Sequence, residues 1–300
     1  MEVLRTPEEC FKNLPDYPFD PHYLTIRDRF EDVSIRIHSV DEGSPDSQVV
    51  LMLHGEPSWS YLYRKMVGPF VRAGYRVLAP DLAGFGKSDK PSKRGDYSYA
   101  RHLAWIQDWL QAMDLQDIVL ICQDWGGLLG MRLVAAEPDR FARVVTTNTM
   151  LPTGDQSAGD AFMQWQRYSQ EVPVFPTGQI VNKGTVTDLS DDVLAAYEAP
   201  FPDESYKEGA RQFPLLVPTT PDNPESQANR DAWTVLRRFG KPWLCAFGDS
   251  DPITAGAAPV IQKLIPGCQN QPHTTIRGGG HFIQEDRGEE LATVVLDWLA

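Results

Sequence analysis

Ten residues near the middle of the chain, Ile118-Val119-Leu120-Ile121-Cys122-Gln123-Asp124-Trp125-Gly126-Gly127, constrain the fold more than any other stretch. An apolar run of strand length ends in a carboxylate, an indole and two glycines, and helical periodicity follows. This pattern describes a buried strand that turns sharply into a helix and exposes the side chain at its apex. Cys122 and Gly126, two positions to either side of the centre, supply the small residues that such crowding needs. The apex itself is Asp124, an anionic group that attacks carbon without a base to activate it.

Strand and helix patterns alternate around this elbow. Residues 33–40 alternate apolar and polar, as a half-exposed strand does, whereas Val49–Leu53 is a continuous apolar run that suits burial on both faces. The run ends in His54-Gly55-Glu56-Pro57, where Gly and Pro force a loop. A helix is predicted over 59–73, stopped by Gly74, then a strand over 75–79 and a loop over 80–88. From Tyr99 onward, Leu103, Ile106, Leu110 and Met113 recur at spacings of three and four, which is one face of a helix. A strand over 142–147 follows. The expected class is α/β: a mostly parallel sheet flanked by helices, with ligands collecting beyond the carboxyl ends of the strands. His54, Glu56, Asp81 and Asp124 all fall there.

The alternation stops over 151–229, where prolines multiply and short amphipathic stretches appear at 162–168, 191–197 and 206–213. This segment reads as a helical cap inserted into a core made of 1–150 and 230–300. Strand character resumes over 241–248, then come a helix over 257–264, a short strand over 273–276, the Gly278-Gly279-Gly280-His281 loop and a terminal helix. Residues 1–30 read as an irregular arm on the core.

A net charge of −13 and a pI near 4.9 argue against nucleic acid or an anionic membrane as partners. The cysteines at 10, 122, 245 and 268 have no paired spacing, and two lie inside apolar runs, so reduced, buried thiols are expected. That suits the cytoplasm. The N-terminus lacks a basic stretch followed by an apolar one, and no apolar run is long enough to span a membrane. A soluble monomer is expected, with no metal or cofactor, because neither a ligand cluster nor a phosphate loop occurs.

Partners of an elbow nucleophile follow it in the order acid, then histidine. Asp251, in Gly248-Asp249-Ser250-Asp251-Pro252, and His281 keep that order and sit just past strands, with Asp249 as a nearby rival for the acid. Singly, each has a plainer reading: an Asp before a helix caps it, an Asp before Pro starts a turn, and a His after glycines is a loop residue. Order, spacing and strand-end placement together favour a triad of Asp124 (nucleophile), Asp251 (acid) and His281 (general base).

His54-Gly55-Glu56-Pro57-Ser58-Trp59-Ser60-Tyr61-Leu62-Tyr63-Arg64, Gln123-Asp124-Trp125-Gly126-Gly127 and Ala199-Pro200-Phe201-Pro202-Asp203 resemble a haloalkane dehalogenase of the α/β-hydrolase superfamily. The likeness is to the subgroup with two halide-binding tryptophans and its acid after the strand that follows the cap. It runs from Leu4-Arg5-Thr6-Pro7 to Gly280-His281-Phe282. It implies a small halogenated aliphatic substrate, a halide product and an alkyl ester on Asp124 that His281 and Asp251 resolve with water. It also implies an oxyanion hole from the backbone N–H groups of Glu56 and Trp125, and halide donors at Trp125 and Trp165. Leu128, Phe162, Phe201, Pro202 and Ile253 are the implied pocket walls. Leu128 and Thr254 depart from a familiar member of the subgroup, which has Phe and Leu there.

Two other readings remain at this point. An epoxide hydrolase uses the same Asp-His-Asp machinery with cap tyrosines, for which Tyr168, Tyr197 and Tyr206 are available. A non-catalytic binding protein on the same fold usually shows a broken triad, and this one is intact.

Overall fold

A computed structural model describes residues 1–300. Eight strands form one sheet: β1 (His22–Arg27), β2 (Ser34–Glu42), β3 (Val49–Leu53), β4 (Arg76–Pro80), β5 (Ile118–Gln123), β6 (Phe141–Thr147), β7 (Trp243–Gly248) and β8 (Thr274–Ile276). Their spatial order is β8-β7-β6-β5-β3-β4-β2-β1. From β8 to β4 every pairing is parallel, and β2 joins β4 and β1 antiparallel. β3 and β5 lie at the centre with every residue buried, the consequence of unbroken apolar runs covered on both faces.

Two expectations need correction at the sheet edge. Residues 1–30 are not wholly irregular, because β1 pairs along its length with β2, Tyr23 opposite His38 and Ile26 opposite Ile35. Only Ile26 of β1 is buried, so an exposed edge strand leaves little apolar alternation to read. β2 is more buried than its alternation suggests. His38 and Ser39 lie inside because the Asp81 carboxylate takes His38 Nδ1 at 2.7 Å and Ser88 Oγ takes the His38 N–H at 2.8 Å.

Helices α1 (Arg64–Arg72), α2 (Tyr99–Ala112) and α3 (Trp125–Ala136) alternate with the first strands. The helix expected over 59–73 opens as a 3₁₀ turn at Ser60–Tyr63 before α1, and Gly74 terminates it at φ +91°. Between β6 and β7 come α4 (Asp160–Glu171), α5 (Thr177–Lys183), α6 (Asp191–Glu198), α7 (Glu208–Leu216) and α8 (Ser226–Leu236). α4 packs on α7 and α5 on α6, whereas α8 packs on α3, so this helix crosses the expected boundary at 229. α9 (Ala257–Leu264) and α10 (Ile283–Leu299) complete the chain. No helix is long and apolar enough to cross a membrane.

Candidate active site

β5 delivers Asp124 to the carboxyl edge of the sheet, and α3 begins at the next residue. Asp124 has φ +50° and ψ −125°, a backbone conformation that L-residues rarely adopt and that costs of order 1–3 kcal/mol. The surroundings hold it there. Its N–H donates to the Asn148 carbonyl at 3.0 Å, and Thr149 Oγ1 donates to its carbonyl at 2.7 Å. Two glycines make the approach possible: a Cβ at Gly126 would fall on the Leu53 carbonyl, and one at Gly55 would fall on the Asp124 side chain. The elbow is therefore built from both central strands.

Three loops converge on its partly buried carboxylate. After β3, the Glu56 backbone N–H donates to Asp124 Oδ1 at 2.8 Å. His54 braces that loop: its Nε2 accepts the Leu82 N–H at 2.9 Å, which leaves the ring proton on Nδ1 to reach the Gly55 carbonyl at 2.9 Å. Behind β8, His281 places Nε2 3.5 Å from Asp124 Oδ2 and Nδ1 3.0 Å from Asp251 Oδ2. Gln123 Nε2 and Asn148 Nδ2 fix this loop through the His281 carbonyl at 3.1 and 3.2 Å. After β7, Asp251 also accepts the Ile253 N–H at 2.9 Å on Oδ1 and the Thr254 hydroxyl on Oδ2. The rival Asp249 points away, accepting the Gly278 N–H at 2.8 Å and the Ser250 hydroxyl at 2.9 Å.

The electrostatics follow from this arrangement. Burial disfavours a charged His281, but the Asp251 charge and hydrogen bonds to Asp124 and Asp251 outweigh it and push the imidazole up to about 10. Burial likewise opposes an ionised Asp251, yet His281 and the Thr254 and Ile253 donors bring it down to about 2. Glu56 is the opposite case. Burial, and then the neighbouring Asp124 charge, push its carboxyl well above the usual range and favour its neutral form.

Above the triad lies a cavity of about 470 Å³, lined by Glu56, Asp124, Trp125 and His281 below and by Phe162, Trp165 and Pro214 from α4 and α7. A model of the α/β hydrolase fold family matches residues 48–288. A haloalkane dehalogenase from Psychrobacter cryohalolentis is 58% identical over 299 residues, covering 100% of this chain and 98% of the relative. One from Mycolicibacterium paratuberculosis is 51% identical, covering 99% and 98%. The chain belongs to the haloalkane dehalogenase family of α/β hydrolases. The haloalkane dehalogenase DpaA of Paraglaciecola agarilytica NO2, whose structure is tetrameric, superposes with a TM-score of 0.90 at 36% identity, covering 98% of this chain and 97% of that one.

Within this haloalkane dehalogenase, Asp124, His281 and Asp251 come together, and Glu56, Trp125, Trp165, Leu128, Phe162 and Ile253 reach the cavity. Phe201 and Pro202 do not. Phe201 is buried elsewhere, 5.9 Å from Lys90 Nζ, and Pro202 faces solvent. A second Phe-Pro pair that sequence reasoning passed over, Phe213-Pro214 on α7, stands there instead. Pro214 lines the cavity and the Phe213 ring packs on the Trp125 indole at 4.5 Å. The signal for it was present, because Phe213 closes the amphipathic pattern of α7 while Phe201 lies in a connection between helices. Of the three tyrosines weighed for epoxide chemistry, Tyr168 alone lines the cavity, and the Tyr197 hydroxyl is spent on Glu285.

Proposed function

We propose that this haloalkane dehalogenase converts small haloalkanes to alcohol, halide and a proton through an alkyl ester on Asp124. One observation carries the choice of leaving group. Five of the eight indoles donate to a protein oxygen and Trp109 is sealed in the core. Trp125 and Trp165 are the remaining two; both line the cavity, and neither N–H has a protein acceptor. A departing halide needs donors that carry no lone pair of their own, and indole N–H groups meet that requirement.

In the first step Asp124 attacks the carbon in line with the halogen, and the cavity's apolar walls strip water from the nucleophile. His281 stays charged during this step, because attack by a carboxylate consumes no proton. Esterification then removes the Asp124 charge, one of the two carboxylates that hold the proton on the ring. Once the ester exists the imidazolium gives its proton to solvent, which is the proton the overall reaction releases, and the neutral imidazole is then the base. His281 takes a proton from water, the water attacks the ester carbonyl, and Asp251 stabilises the imidazolium. The backbone N–H of Glu56, already on Asp124 Oδ1, and that of Trp125 at the start of α3 serve the oxyanion. The Glu56 carboxyl holds the attacking water.

On this reading the residues over 151–229 act as the cap that shapes the substrate chamber, and the reaction takes place in the cytoplasm. Halide release from a panel of short bromo- and chloroalkanes, run beside a panel of epoxides, tests the assignment. Equimolar halide and alcohol with no diol from the epoxides is the expected result. Epoxide opening without halide release contradicts it.

A further inference from the structure

Thr254 has no place in the scheme above, yet its position ties the chamber wall to the triad. It is buried, lines the cavity, and sits three residues beyond Asp251 in the turn that leads into α9. Its backbone is fixed, because its carbonyl accepts the Ala257 N–H at 3.0 Å at the start of that helix. Its hydroxyl donates to Asp251 Oδ2, the same oxygen that His281 Nδ1 reaches at 3.0 Å, while Oδ1 is held separately by the Ile253 N–H.

We propose that Thr254 is a positioning residue for ester hydrolysis, its hydroxyl holding Asp251 Oδ2 against His281 Nδ1 from the cavity side. Three donors on two oxygens leave the carboxylate little freedom to rotate, so the imidazole plane is set by Asp251, which is set in turn by Thr254 and Ile253. The hydroxyl also shares the negative charge of Oδ2. Without it, Asp251 holds the His281 proton more tightly, and the imidazole is slower to become a free base. The groups facing His281 are Asp251 on Nδ1, Asp124 on Nε2 and the Glu56 carboxyl, which burial shifts toward its neutral form; the ester neutralises Asp124 and leaves Asp251 on Nδ1. Thr254 therefore acts on the half-reaction in which Asp251 is the carboxylate still hydrogen-bonded to the base.

The inference rests on His281 being the base of the second step, and the test separates the two ideas. The halide burst and the decay of the alkyl-enzyme are followed separately against pH, by rapid quench and intact-protein mass spectrometry with a bromoalkane. In Thr254→Val the decay slows roughly tenfold and its acid limb moves up by about one pH unit, the size of one hydrogen bond to a charged group, while the burst changes less. Thr254→Ala, which removes the donor without adding a methyl beside the carboxylate, shows the same shift. Thr254→Ser, which keeps the hydroxyl, restores the wild-type limb. An unmoved acid limb in Val and Ala, equal slowing of burst and decay, or failure of Ser to restore the limb overturns the role of Thr254. A wild-type enzyme whose ester decay shows no acid limb at all overturns the base assignment instead.

Discussion

At the scale of single residues, the proposed chemistry divides between a carboxylate that needs no activation and an imidazole that is charged at rest. His281 is pushed up to about 10 while both Asp124 and Asp251 face it, although burial alone would drive it down. The first step does not consult this proton and the second does. The halide burst is therefore expected to stay flat across the neutral range, while ester hydrolysis rises with pH along a titration well below the resting value. Stopped-flow halide detection beside mass analysis of the ester checks this; a burst that titrates with the decay would contradict it. Trp165 permits a second prediction. If it is the second halide donor proposed above, replacing it with Phe is expected to cost about 1.5–3 kcal/mol, or roughly 10- to 100-fold in halide affinity. Bromide quenching of tryptophan fluorescence reads the change, and unaltered affinity would move the second donor elsewhere.

At the scale of elements, the elbow between β5 and α3 and the helix α7 set the geometry. Gly126 has no room for a methyl because the Leu53 carbonyl of β3 occupies the space, so Gly126→Ala is expected to cost about 3 kcal/mol in denaturant titration and to abolish activity. α7 backs the proposed halide site. Phe213 packs between the Trp125 indole at 4.5 Å and the rings of His102 and Phe85 at 4.4 and 4.8 Å. Phe213→Ala should cost about 3–5 kcal/mol and weaken bromide binding as well, because Trp125 loses the ring that orients it. Retained bromide affinity would show that Trp125 is held by other contacts. These elements also explain what could be read from the chain. β3, β5 and the elbow were legible because burial on both faces leaves an unbroken apolar run ending at a sharp turn. The grouping of Asp124, Asp251 and His281 was legible because the sheet orders its loops. The cavity wall was less so: Phe201-Pro202 and Phe213-Pro214 are the same dipeptide, and the amphipathic pattern that ends at Phe213 is the one sequence signal that separates them. The edge strand β1 was hidden because one residue of six is buried.

At the scale of the whole molecule, buried charge sets the pH range of stability. Asp81 is fully inside the protein, and burial opposes its charge. His38, His54 and the Ser60 N–H nevertheless bring it down to about 2 from the ordinary 3.8. A depressed carboxylate contributes stability above its unfolded value and loses it as pH falls through the folded one. Asp81 thus supplies about 2 kcal/mol above pH 4, lost toward pH 2. The denaturant midpoint of Asp81→Asn should fall less steeply than that of the wild type as pH drops from neutrality toward 2; an unchanged slope would remove Asp81 from the account. Assembly is measurable in the same way. Sedimentation is expected to return the 33.7 kDa monomer, and a mass four times larger would align the chain with the tetrameric relative.

The central claim is a covalent ester on Asp124 that only His281 can resolve. His281→Gln keeps the nucleophile and removes the base, so brief exposure to a bromoalkane should release one equivalent of bromide. The protein should then carry an alkyl adduct that peptide mapping places on Asp124. Sustained turnover by this variant, or bromide release with no adduct on Asp124, would contradict the account.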